Sequence, residues 1–162
     1  MSISKVFYAL MGDKNTIFQQ AEFHSDHIIF RARLRIGIKK CPCCKSFDIR
    51  IKETKERTFR MLNFGQKRAQ LKINVYKIWC QACDKKAWIE LPFTCGKLPM
   101  TISFMLYIIQ LTAMSTLLCV ALFLGLQWKT VKNTDKAHLY GFSTLRPQFF
   151  PWTFFNKFFS LI

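Results

Sequence analysis

The sequence predicts an α+β protein: a small β-rich unit, then a helical module, then a Phe-rich and poorly ordered tail. Three observations predict it. Short segments of alternating apolar and basic residues occupy the chain up to about residue 92. No charged side chain lies between Lys97 and Lys129, which reads as helix in at least two pieces. After about Gly141 the chain becomes FSTLRPQFFPWTFFNKFFSLI, crowded with Phe and lacking acids. The division that follows is 1–95, 96–140 and 141–162. Apolar residues make up 51% of the chain, too many for general disorder.

Each element has its own signal. Val6, Phe7 and Leu10 suit a short helix ending near Gly12 in an otherwise weakly patterned segment, 1–24. Residues 27–38 read HIIFRARLRIGI. Ile28, Phe30, Ala32, Leu34 and Ile36 share one face, and Arg31, Arg33 and Arg35 the other. That period of two predicts a half-buried strand with a basic outer face. Residues 47–53 and 57–62 predict two further short strands, and Asn63-Phe64-Gly65 a turn. Ala69, Leu71, Ile73 and Val75 then alternate with Gln70, Lys72, Asn74 and Tyr76 in a strand that runs into Trp79-Cys80.

Charge is concentrated in the middle of the chain. The net charge is +16, and residues 31–97 carry 18 Lys and Arg against five acids. So basic a balance implies a polyanionic partner, either nucleic acid or an anionic membrane surface. The acids and histidines are too few and too scattered to predict an enzyme. No secretory signal peptide is evident, which places the chain in the cytoplasm and its seven cysteines in a reducing setting.

In such a compartment, paired cysteines hold metal more often than they form disulfides. Cys41-Pro42-Cys43-Cys44 and Cys80-Gln81-Ala82-Cys83 give two Cys-x-x-Cys pairs when Cys41 and Cys44 serve as the first. Two tight turns of this kind supply the tetrahedral sulfur set that zinc prefers, predicting one structural Zn2+ on Cys41, Cys44, Cys80 and Cys83. Four thiols without metal are the alternative. Cys43 should point away, although it could substitute for a ligand, and Cys95 and Cys119 read as non-ligands. Lys45 and Asp84 stand where zinc knuckles often carry glycine.

The helical module is LLCVALFLGLQWKTVKNTDK, residues 117–136. Ala121 is small enough for two helices to cross closely, and Gly125 allows the positive φ of a sharp turn. Val120, Leu124, Leu126 and Val131 would fill the core between them. The second helix is expected from about Gln127 to Leu139. It would present Gln127, Lys129, Thr130, Lys132, Asn133 and Lys136, residue types that reach phosphates and base edges in the major groove. A helix-turn-helix binding double-stranded DNA is the reading these residues favour.

Two other readings compete. Residues 98–128 are long and apolar enough to cross a bilayer, which describes a small membrane protein with a cytosolic zinc ribbon. Against it, Ser103, Tyr107 and Gln110 fall at helical spacing on one face. The third reading is an RNA-binding zinc-ribbon protein, with Phe59, Phe64, Tyr76 and Trp79 available to stack bases.

The order of basic strands, Cys-Pro-x-Cys knuckle, RMLNFGQKRAQLKINVYKIWC, second knuckle and VALFLGLQWKTVKNTDKAHL resembles the start of the insertion-sequence transposases of the ISL-three group. The resemblance covers roughly residues 1–140. It implies a zinc ribbon with Cys41, Cys44, Cys80 and Cys83 as ligands, and a helix-turn-helix whose residues from Gln127 to Lys136 grip the terminal repeats of the element. Arg57, Arg60, Lys67 and Arg68 would add phosphate contacts near the ribbon. Intact transposase copies are then expected as hetero-oligomeric partners. Members of that group continue into a catalytic domain whose three carboxylates hold two metal ions. Here Asp135 is the one acid after residue 97, so a truncated, catalytically inactive copy is expected.

Overall fold

The computed structural model describes residues 2–11, 13, 15–35, 40–95 and 98–141, with side chains followed through residue 137. The tail expected after Gly141 lies outside the described residues. Packing divides the chain into two units, Met1–Leu106 and Tyr107–Ile162.

The first unit is a sheet with one helix packed on it. Helix α1 spans Ile3–Met11. Strands β1 (Thr16–Phe23), β2 (His27–Leu34), β3 (Ile49–Phe64), β4 (Lys67–Cys80) and β5 (Lys86–Trp88) follow. The sheet order is β1-β2-β4-β3, with β5 also pairing with β4. Strand β2 runs parallel to residues 68–73 of β4, and β5 runs antiparallel to residues 77–79 farther along the same strand. Strands β2, β3 and β5 therefore all pair with β4, and β1 joins the sheet through β2.

The alternation read in β2 and β4 is the one observed. Ile28, Phe30, Ala32 and Leu34 are buried with Ala69, Leu71, Ile73 and Val75, and α1 closes this core with Phe7 and Met11. Each large apolar side chain so buried contributes about 1.5–3 kcal/mol. Three sequence expectations change. The two short strands around residues 47–62 are one 16-residue strand, β3, bent by a bulge between Ile51 and Glu53. The turn after it lies at Gly65-Gln66, with Gly65 at φ 60°. Strand β1 occupies a segment too weakly patterned to announce itself, because Thr16 alone of its eight residues is fully buried.

Burial along β4 changes face. Up to Val75 the buried residues are odd-numbered; beyond it they are Ile78 and Cys80. Alternate residues of a strand point to opposite faces. The far end of β4 therefore buries the face opposite the main core. A second small core forms there from Cys41, Ile78, Cys80 and Ile89, with Ile49, Tyr76 and Cys83 against it.

The apolar stretch 98–128 is not one helix. Helix α2 spans Ile102–Met114 and α3 spans Leu117–Leu124. Between them Thr116 adopts an extended conformation, and its hydroxyl accepts the Cys119 N–H at 3.3 Å, an N-cap that starts a new helix. No helix among the described residues is long and apolar enough to cross a membrane. Of the three polar residues at helical spacing on α2, Gln110 is exposed, while Ser103 is half-buried with its hydroxyl donating to the Met11 carbonyl.

In the second unit, α3 ends at Gly125, which sits in the left-handed region at φ 62° and ψ 41°. The Gly125 and Leu126 N–H groups donate to Leu122 and Ala121, satisfying carbonyls that the helix end would leave bare. Helix α4 spans Trp128–Gly141, one residue later at its start than expected. Val120, Ala121, Leu124 and Val131 are buried, and Leu126 is partly so. Asp135 accepts from the Thr112 hydroxyl at 3.1 Å, tying α4 to α2.

Candidate zinc centre and nucleic-acid surfaces

Each Cys-x-x-Cys segment folds into the same kind of turn. In the first, the Cys41 N–H donates to the Ser46 carbonyl at 2.9 Å, and the Lys45 N–H donates back to Cys41 at 3.0 Å. In the second, the Cys80 N–H donates to the Lys85 carbonyl at 3.0 Å. The long β3–β4 hairpin brings the two turns together by pairing Ile49, just after the first knuckle, with Cys80.

The four sulfurs all lie within 4.8 Å of one another. Cys41 Sγ is 3.6 Å from Cys83 Sγ, and Cys44 Sγ is 3.4 Å from Cys80 Sγ. Zinc–sulfur bonds of about 2.3 Å in a tetrahedron put sulfurs roughly 3.8 Å apart, so this donor set fits one structural zinc ion. Cys43 is exposed and outside the cluster, as its position between the ligands required. Cys95 and Cys119 stand apart as well.

The thiols differ as acids. The backbone N–H of Cys44 does most to pull the Cys41 thiol down to about 6, whereas burial pushes Cys83 up to about 12. Thiolates, not thiols, bind the metal, so zinc must displace the proton from Cys83. Proton competition grows as pH falls, and zinc affinity falls with it.

Lys45 and Asp84, each directly after the second cysteine of a pair, have φ of 61° and 53°. Both hold the left-handed conformation that glycine adopts without penalty, and for other residues it costs about 1–2 kcal/mol. Asp84 is compensated, because its carboxylate accepts the Trp79 indole N–H at 2.7 Å. The Lys45 side chain makes an exposed contact with Glu90 at 3.5 Å. Lys45→Gly should therefore stabilise the zinc-loaded chain by about 0.5–1 kcal/mol in chemical denaturation. Asp84→Gly should gain less, since it removes the indole's partner. Equal gains would mean that the bond to Trp79 contributes nothing.

The basic residues proposed for DNA fall into separate groups. On α4, Lys129, Lys132, Asn133 and Lys136 recur at spacings of three and four, which places them on one helix face. Lys129, Asn133 and Lys136 are exposed, and Lys132 Nζ lies 4.9 Å from the centre of the Trp128 ring. Gln127 precedes the helix, and its carbonyl accepts the Thr130 N–H at 2.9 Å. Thr130 is half-buried, with its carbonyl taken by the Thr134 hydroxyl.

The four residues near the ribbon do not form one patch. Arg57 is exposed and lies over Phe59, on the face of β3 that lines the main core. Arg60 and Arg68 lie toward the opposite face. Arg60 is half-buried over the Phe104 ring and donates to Asn63 at 3.0 Å, and burial lowers its pKa. Lys67 donates to the His24 carbonyl at 2.8 Å, while Arg68 is exposed. Phe59, expected as a stacking aromatic, is buried in the core; Phe64 is exposed.

Trp79, also expected as a stacking aromatic, is half-buried, but sequence reasoning missed the surface around it. Beyond the bulge, Lys52, Trp79, Asp84 and Lys86 line an open groove of about 470 Å³ beside the second knuckle. Its signal was the Lys86-Ala87-Trp88 strand, too short to be read by periodicity.

Residues 39–83, which span both knuckles and the hairpin between them, match the family model described as the zinc-finger of transposase IS204/IS1001/IS1096/IS1165. No curated protein and no solved structure matches the chain. The segment holding the four-cysteine centre is thus similar to the zinc ribbon of those transposases.

Proposed function

We propose that this chain binds double-stranded DNA as the recognition portion of an insertion-sequence transposase. The match of residues 39–83 to the transposase zinc finger carries this reading. The basic face of α4 supports it. A short helix, a glycine turn and a longer basic helix form the arrangement in which a second helix enters the major groove. Lys129, Lys132 and Lys136 would grip phosphates, and Gln127, Thr130 and Asn133 would lie nearest base edges. The proposed target is the terminal repeats of the element, and intact copies of the transposase are the proposed protein partners. We assign no strand cleavage to these residues, because the nine acids are scattered through the chain and Asp135 alone follows Glu90.

The test is fluorescence anisotropy with a duplex carrying an element end, repeated across salt concentrations. Affinity should fall steeply with salt, because bound Lys and Arg displace counterions. Lys129→Ala, Lys132→Ala and Lys136→Ala together should flatten the log–log slope by roughly 2–3, at about 0.9 per phosphate contact. An unchanged slope would remove α4 from the interface.

A further inference from the structure

The groove beside the second knuckle has a built platform. Trp79 is half-buried, and its indole N–H is fixed on Asp84 at 2.7 Å. Lys52 Nζ lies 4.9 Å from the ring centre. Across the strand pair, Lys86 is the direct partner of Trp79, and Trp88 is the direct partner of Lys77. Alternation puts Lys77, Trp79, Lys86 and Trp88 on one face, two indoles interleaved with cations. Trp88 is 42% exposed, and Lys77 Nζ lies 6.0 Å from its centre.

A held ring flanked by ammonium groups suits a planar, anionic ligand. A base can stack on the indole while Lys52 and Lys86 meet the adjoining phosphates. A paired base cannot do this, since its faces are already covered by its neighbours in the duplex. We propose that the groove of Lys52, Trp79 and Lys86 binds an unpaired nucleotide, with Trp88 as a second stacking platform for its neighbour. This rests on the reading of the chain as a nucleic-acid binder, but it adds a single-stranded site separate from α4. In DNA, such nucleotides occur at frayed or cleaved ends; an RNA strand offers the same chemistry.

The test uses the full zinc-loaded chain and three probes by fluorescence anisotropy: a short oligothymidine, the matching oligouridine and a duplex of equal length. Trp79→Ala, and separately Lys52→Ala with Lys86→Ala, should weaken oligothymidine binding at least fivefold, roughly the lower end for loss of one stacked base. Duplex binding should change less than about twofold, below the loss from a single stacked base. Trp79→Phe keeps a ring and should retain most of the affinity. Zinc content measured on each variant separates a lost platform from a lost ribbon. Should Trp79→Ala shed zinc, the lysine pair decides alone.

Unchanged oligothymidine binding in the lysine pair would overturn the proposal, as would an equal loss for duplex. A parent chain that binds duplex but not oligothymidine also overturns it, while leaving the α4 reading intact. The reverse pattern removes the α4 reading and keeps the groove. Stronger binding of oligouridine than oligothymidine supports the groove and assigns its strand to RNA.

Discussion

Cys80→Ser is expected to cost the chain its zinc and the fold of the ribbon together. Cys80 is fully buried, its sulfur is 3.4 Å from that of Cys44, and its backbone pairs with Ile49 where the hairpin joins the knuckles. A serine hydroxyl is a poor zinc ligand and would remain as a buried polar group in a small apolar core. That core holds few other side chains. Zinc binding at such sites supplies about 10–16 kcal/mol, as much as the whole stability of a typical domain, about 5–15 kcal/mol. Elemental analysis should find less than stoichiometric zinc, and circular dichroism should lose the cooperative transition of the ribbon. A chelator should do the same to the parent chain. Full zinc and an unchanged transition in the variant would remove the site. Cys43→Ser, at an exposed cysteine outside the cluster, should change neither.

Gly125→Val should have the second-largest effect, on the helical unit. At φ 62° a β-branched residue meets the penalty of the left-handed region in its severest form, at least about 1–2 kcal/mol. The bonds at stake are those from Gly125 and Leu126 to Leu122 and Ala121, which end α3 and aim α4. Duplex DNA affinity should drop at least about tenfold, the equivalent of roughly 1.4 kcal/mol. Zinc content should stay the same. Gly125→Asn, which tolerates this backbone conformation, should recover most of the loss. Full duplex binding by the valine variant would show that the turn does not position a DNA-reading helix.

The features legible in the sequence were those governed by local rules. Cys-x-x-Cys spacing is local, and so are the alternation of Ala69 to Val75 and the glycine turn at residue 125. Each survived into the structure because nothing distant opposed it. The misread segments depended on partners far along the chain. Strand β1 holds its place through pairing with β2, although its own sequence shows little pattern. The continuity of β3 through residues 53–58, all exposed, comes from its ladder with β4 and not from burial. Arg60 looked like a surface cation in the sequence; Phe104, 44 positions later, makes it a packed one.

By itself, the sequence determined that four cysteines in two pairs would make a metal centre, that a basic β unit would precede a helical one, and that Gly125 would end a helix. Spacing and backbone freedom depend on residues close in the chain. Only the tertiary structure decided that the strain expected at Asp84 is compensated by the Trp79 indole. It also decided that β4 buries opposite faces at its two ends, and that Trp79 stands between two lysines over an open groove. Those outcomes follow from strand register and the bulge in β3, and register is a property of pairs of strands that neither strand carries alone.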